Sequence, residues 1–427
     1  MIRRITKKLK FMLGILFVSA FIACLSLCLV YLIPTENIER NVSLSAGLIE
    51  DEGTYPKLFP WCSSNLDNWT DSIMLLESTY RGNESILEKA LLVKHKAIDD
   101  WSADYSLVYH YNHDYELNTI VSYPRYWHGY LVIIKPLLYF FNYNQIRLIN
   151  GVLQLVLNFI IIILLYYKNM KKSIIPYLFL QGFLMPVVLA KSLQYSTCYY
   201  IFSFSVLLIL VFNKKFLKNF DCIFYLLMIT GVSTAFFDFL TYPIITFGIP
   251  CILYFNIKNA SSIKNSIYDF TRLLISWGCG YFGMWSLKWV IGSLLTKENV
   301  ILDALKTILF RTSHSNGSVS YTFLSTIKLN VCTFFNTPLT LFFIGFCCYN
   351  LYKILKKVID KKTELNKILI MSLPYFMVSL LPFLWYLFTI NHSAIHGWLF
   401  TYKALGVSLF SLLLLQVKIA NIDDSAL

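Results

Sequence analysis

The chain has 427 residues, of which 57% are hydrophobic, 17% aromatic and 14% charged, and its mean hydropathy is +0.58. Soluble globular domains carry about a quarter charged residues, so a soluble fold is excluded. The net charge of +13 falls in segments between long apolar runs, the pattern of a membrane topology signal rather than of a nucleic-acid surface.

In chain order, Arg3, Arg4, Lys7, Lys8 and Lys10 precede an uncharged run at 11–33. A crossing needs roughly 20 apolar residues. The run is that long and lacks an Ala-x-Ala-like cleavage site, so it predicts an uncleaved first span with residues 1–10 in the cytoplasm. Nine further runs follow, at 146–167, 173–190, 196–212, 222–237, 242–255, 273–295, 331–352, 368–390 and 404–417. They predict an all-α polytopic membrane protein with about ten transmembrane helices in the cell membrane, both termini cytoplasmic, and residues 418–427 as a cytoplasmic tail. This threading puts Lys168, Lys171, Lys172, Lys214, Lys215, Lys218 and the group from Lys353 to Lys367 inside, as the positive-inside rule requires. Cys62 is the one cysteine outside a predicted span, so the thiols read as small core residues rather than a disulfide framework.

The first two spans are separated by residues 34–145, a large extracytoplasmic loop too long for a connector. Within it, 84–101 spaces Ile86, Leu87, Ala90, Leu91 and Ile98 for one helical face, as in a helix lying on the membrane surface. The apolar piece 130–141 contains Lys135-Pro136 and is short for a span, which predicts an interfacial or re-entrant segment. A later outer loop, 296–330, holds Arg311, His314 and the turn-like Ser315-Asn316-Gly317-Ser318.

Polar and ionisable residues that are costly in hydrocarbon gather on the outer side of this threading, where such groups usually face a cavity, a partner or a substrate. Asp67 and Asp71 stand four apart in Leu-Asp-Asn-Trp-Thr-Asp-Ser-Ile-Met-Leu, where Thr70 or Asp71 also suits a helix cap. A carboxylate there has the chemistry to deprotonate an acceptor hydroxyl or to hold a divalent cation, Mg or Mn. Asp238, between two phenylalanines, calls for a partner such as Lys191 or Lys288, and Tyr242 follows in the same turn. Arg125, Lys191, Arg311 and Lys403 are candidate ligands for a phosphate or pyrophosphate. His128, His314, His392 and His396 are candidate substrate contacts; His392 and His396 are spaced i, i+4 but lack the glutamate of the zinc-protease motif. Tyr126, Trp127 and Trp398 neighbour these charges and suit stacking on a sugar.

This layout, with the blocks Asp-Asn-Trp-Thr-Asp, Arg-Tyr-Trp-His-Gly, Asp-Phe-Leu-Thr-Tyr-Pro and Asn-His-Ser-x-Ile-His-x-Trp, resembles the GT-C superfamily of integral-membrane glycosyltransferases. The resemblance implies a catalytic acid in the first extracytoplasmic loop, for which Asp71 and Asp67 are the matches. It implies a polyprenyl-phosphate-linked sugar donor, a glycan, lipid or protein acceptor, and work at the outer face of the bilayer. A polysaccharide polymerase or ligase, and a transporter or flippase of lipid-linked oligosaccharide, are the competing readings. The polymerases carry their large loop late in the chain. Alternating access predicts polar mid-span residues and an internal repeat, neither of which is evident in the sequence.

Overall fold

The computed structural model describes residues 2–258, 262–360 and 365–421. It is almost entirely helical, and a helical loop region packs on a bundle of apolar helices. Among the described residues seven helical segments are long and apolar enough to cross a membrane: Thr6–Val30, Tyr143–Tyr167, Leu193–Val211, Phe220–Phe237, Leu339–Lys356, Ile368–Phe388 and Thr401–Ala420. The polarity runs inside out. On the helix Tyr143–Tyr167, Leu148, Val152, Leu155 and Phe159 are exposed while Arg147, Asn150 and Gln154 are buried. This is the arrangement that a hydrocarbon solvent imposes.

The first helix, α1 (Ile2–Val30), is followed by α2 (Glu36–Glu52), α3 (Asn68–Thr79) and α4 (Ile86–Leu92). The helix expected over 84–101 ends at Leu92, because Val93 takes a left-handed conformation and Lys94–Ala97 (β1) turns away to form a strand. After α5 (Ala103–His113), that strand pairs antiparallel with β2 (Thr119–Ser122). The short apolar piece forms α6 (Leu131–Phe140), ten residues with Pro136 inside.

Next come α7 (Tyr143–Tyr167), α8 (Ile174–Leu184) and α9 (Pro186–Lys191). The span expected over 173–190 is thus broken: Met185 has φ 58 and precedes Pro186, whose ring excludes the helical conformation from its neighbour. The chain continues through α10 (Leu193–Val211), α11 (Asn213–Lys218), α12 (Phe220–Phe237), α13 (Ile244–Lys258) and α14 (Ile263–Leu295). Two other expected spans differ from the seven. The one at 242–255 is the 15-residue α13, shortened by the Thr241-Tyr242-Pro243 turn, and the one at 273–295 belongs to a 33-residue helix whose Trp, Gly, Ser and Lys288 lower its hydropathy.

The 296–330 loop is largely structured. It contains α15 (Val300–Thr312) and a hairpin of β3 (Ser315–Asn316) and β4 (Val319–Ser320) turning at Gly317 with φ +59. It then enters α16 (Phe323–Phe334), which is separated from α17 (Leu339–Asp360) by Asn336-Thr337-Pro338, so the apolar run 331–352 is not one helix. The chain ends through α18 (Leu365–Ser379), α19 (Leu381–Phe388), α20 (Ile390–Ile395) and α21 (Gly406–Ala420). Part of the expected Lys353 to Lys367 group and residues 422–427 of the expected tail lie outside the described residues.

Candidate functional site

Helix α3 is the centre of the site because almost its whole circumference is buried while it carries acidic groups. Asp67 caps it: its Oδ1 accepts from the Thr70 backbone N–H at 3.0 Å, and its Oδ2 accepts from the Thr70 hydroxyl at 3.0 Å and from the Gln194 amide. The cap is therefore Asp67, not Thr70 or Asp71. Its own N–H donates to Ser192 Oγ at 3.0 Å, which fixes α3 to the α9–α10 junction. One turn on, Asp71 accepts from the Tyr143 hydroxyl at 2.5 Å and from the Leu193 and Gln194 backbone N–H groups at 2.8 and 3.2 Å.

Tyr143 is held in turn by Arg147, whose guanidinium donates to the Tyr143 oxygen and to Asn68 Oδ1 at 2.8 Å, and to both Glu52 oxygens at 2.8 Å. Burial pushes the Asp67 carboxyl up to about 7, with the nearby Asp71 charge adding to it and the Thr70 and Gln194 hydrogen bonds opposing. Burial likewise lifts Asp71 to about 6, held lower by the Tyr143 hydrogen bond and the Arg147 charge. Burial thus raises both carboxyls of this shared dry site from the ordinary aspartate range towards neutrality, the direction a general base needs.

A second cluster forms around Arg311 at the end of α15. Its Nη1 donates to His392 Nδ1 at 2.5 Å and to His396 Nε2 at 2.8 Å, while His392 Nε2 donates to the Leu240 carbonyl at 2.7 Å. The i, i+4 spacing therefore aims both imidazoles at one guanidinium, not at a metal. Burial and the Arg311 charge drive His396 down to about 3 and His392 well below its ordinary value, so both are neutral acceptors. Among the described residues Arg311 has no carboxylate partner, only the two imidazoles, and its Nε is buried with no hydrogen bond. The two clusters are continuous: His396 stacks on Phe400 at 4.8 Å, and Phe400 packs 5.8 Å from Tyr195, the neighbour of Gln194.

The remaining candidates are placed around these two clusters. Arg125 pairs with Asp303 at 3.1 Å and lies 4.3 Å over the Tyr123 ring. Burial pushes the Tyr123 phenol up to about 12, opposed by the charges of Arg125 and Arg311, which both face it. His128, in a left-handed conformation, donates through Nε2 to the Tyr123 carbonyl and meets the Tyr130 hydroxyl at 2.6 Å. Asp238 does not pair with Lys191 or Lys288; it accepts from the Thr241 N–H and hydroxyl and from Thr197, closing the 238–241 turn. Tyr242 donates to the Tyr195 carbonyl at 2.5 Å, and Lys403 is consumed by the Leu184 carbonyl and Tyr402. Lys288 donates to the Leu91 carbonyl. Lys191 contributes its carbonyl, 3.4 Å from the Tyr143 hydroxyl, and His314 is exposed beside the hairpin.

Of the aromatic candidates, Trp127 and Tyr126 are buried, with Trp127 donating to the Met284 carbonyl, so neither presents a face to a sugar. Trp398 is 37% exposed and meets Tyr55 edge to face at 5.0 Å; the Tyr55 phenol is raised by burial and by the charges of Asp67 and Asp104.

The sequence reading missed Glu52, Glu77, Tyr143 and Arg147. Arg147 was legible as a charge inside an apolar run, and Glu77 as an acid inside Ile-Met-Leu-Leu-Glu. Glu77 is fully buried and accepts from Tyr130, with His128 at 3.3 Å.

A divalent cation does not fit Asp67 and Asp71. No group of three His, Cys, Asp or Glu side chains converges there among the described residues, and two carboxylates whose oxygens are shared with N–H and O–H donors offer too few ligands for a hard cation. Compared with family models, curated proteins and solved structures, the chain matches none.

Proposed function

We propose that the protein is a glycosyltransferase that moves a sugar from a polyprenyl-phosphate donor to a cell-envelope glycan, lipid or protein acceptor at the outer face of the membrane, on a ten-span threading with both termini cytoplasmic. The observation that carries this reading is Arg311: a half-buried guanidinium held by two neutral imidazoles, without a carboxylate partner among the described residues, and linked to the buried carboxylate pair through the packed rings of His396, Phe400 and Tyr195. A half-buried guanidinium bound only by neutral acceptors keeps its capacity for an anion, and a phosphate monoester matches the guanidinium geometry.

In this reading the acceptor hydroxyl gives its proton to Asp67 as its oxygen bonds to the anomeric carbon. The bond from that carbon to the phosphate oxygen breaks, and the electron pair leaves on the polyprenyl phosphate, whose growing charge Arg311 stabilises. Asp71, tied to Tyr143 and two backbone N–H groups, positions the α3 end against α10. Trp398 and Tyr55 offer a sugar an exposed aromatic face beside Asp67.

The test is release of free polyprenyl phosphate from a panel of polyprenyl-phosphate sugars by the purified protein in lipid. Asp67→Asn is expected to lower the rate by about 10²–10⁴-fold with donor binding retained, and Arg311→Gln to weaken donor binding as well. Full activity in folded Asp67→Asn and Asp67→Asn/Asp71→Asn proteins refutes the catalytic assignment. No release from any donor by a folded wild type transfers weight to polymerisation or transport of lipid-linked oligosaccharide.

A further inference from the structure

At the opposite end of the bundle from the acidic site, the start of α1 and the start of α12 enclose an open groove of about 710 Å³ lined by Lys7, Lys8, Lys10, Phe11, Asp221 and Tyr225. Its floor is aromatic, with Phe11 and Tyr225 edge to face at 4.8 Å. Its rim is cationic. Lys8 pairs with Asp221, and Arg272 reaches the same carboxylate at 3.6 Å while lying 4.2 Å over Phe220. The next carboxylate along, Asp269, is occupied by Lys258 at 2.5 Å. Lys7 and Lys10 are exposed and have no carboxylate partner among the described residues.

The groove sits where α1 changes from charged to apolar: Phe17, Val18 and Phe21, beyond it on the same helix, are all more than half exposed. Exposed apolar side chains on a spanning helix face acyl chains, so the groove opens at headgroup level. A cluster of lysines there, with one carboxylate shared between Lys8 and Arg272, has a surplus of positive charge that attracts anionic headgroups, and the Phe11–Tyr225 floor lies at the level where aromatic rings meet lipid.

We infer that this groove binds the phosphodiester headgroup of an anionic phospholipid, with Lys7 and Lys10 as its direct cations and Lys8 and Arg272 released to it as the anion competes with Asp221. The inference is independent of the glycosyl-transfer reading: it concerns the other face of the bilayer and uses none of the residues assigned there.

The experiment is native mass spectrometry of the full chain in detergent with equal amounts of phosphatidylglycerol and phosphatidylcholine. The wild type is expected to retain phosphatidylglycerol selectively. Each lysine removed costs about fivefold in affinity, so Lys7→Gln/Lys10→Gln loses about 25-fold. Asp221→Asn, which removes the competing anion, binds more tightly than wild type. The inference is overturned by equal retention of both lipids, by a double lysine variant that binds like wild type, or by a folded Asp221→Asn protein that binds no more tightly. Displacement of the lipid by millimolar inorganic phosphate would reassign the groove to a soluble anion and overturn the lipid proposal.

Discussion

Replacing Arg147 by methionine tests the support of the acidic site without any knowledge of substrate. The side chain is 3% exposed and donates four hydrogen bonds of 2.8 Å: two to Glu52, one to Asn68 and one to Tyr143, over whose ring it also lies at 4.1 Å. Methionine keeps most of the volume and removes every donor. It leaves the Glu52 carboxylate, itself only 18% exposed, beside an unsatisfied Asn68 oxygen. Breaking one partner out of a buried ion pair costs about 3–5 kcal/mol, a large part of the stability of an ordinary domain.

The double variant Arg147→Met/Glu52→Gln relieves the stranded charge. Residues sharing a hydrogen-bond network couple by about 0.5–3 kcal/mol, so the double variant should be more stable than the sum of the two single losses predicts. The assay is unfolding in mixed micelles, followed by helical circular dichroism, for wild type, both singles and the double. A second readout comes from Asp71: loss of the Arg147 charge removes one of the influences that lower its carboxyl, so its protonation moves above about 6. An Arg147→Met protein within about 1 kcal/mol of wild type, or strict additivity in the double, would refute the reasoning.

Stability should also rise on mild acidification. Asp67 and Asp71 have folded values of about 7 and about 6, above the 3.8 of an exposed aspartate. Between those limits the folded state binds more protons than the unfolded one, so each group adds up to about 1.4 kcal/mol per pH unit as pH falls from near neutrality towards 4; unfolding midpoints against pH, flattened in Asp67→Asn, check it. Gly231→Ala should cost about 1–3 kcal/mol, because a Cβ there would lie 2.2 Å from the Trp277 carbonyl where α12 and α14 touch backbone to backbone, whereas Gly345→Ala, with nothing within 4 Å, should be neutral or slightly stabilising in the same thermal unfolding assay. Glu77→Ala should cost at least about 1–3 kcal/mol, since it strips the buried Tyr130 hydroxyl of its acceptor; a thermal midpoint equal to wild type would contradict that.

Composition and hydropathy determined the solvent, and with it the class of fold. Too few charges and many apolar runs leave a chain no aqueous core to build, so helices that satisfy their own backbone become the only economical spans. Local chemistry also decided the elements that depend on few residues: the short, ten-residue α6 that carries Pro136 inside, and the hairpin at Gly317. What only tertiary structure decided is where short-range signals compete. Residues 93–97 carry helical spacing, but β2, over twenty residues on, offers them a ladder; Met185-Pro186 divides an apolar run that hydropathy alone reads as continuous. The same limit governs the site. Asp67, Asp71, Arg311, His392 and His396 stand out as ionisable residues near apolar runs, yet their pairing depends on α3, α7, α10, α15 and α20 converging. Lys403 and Lys288 look identical to Arg311 in sequence but end on backbone carbonyls. Charge is read from the residue. Whether a charge is spent on the fold or left over for a ligand is settled by partners that lie far apart in the chain, because hydrogen bonds and desolvation act over a few ångströms of space whatever the separation in sequence.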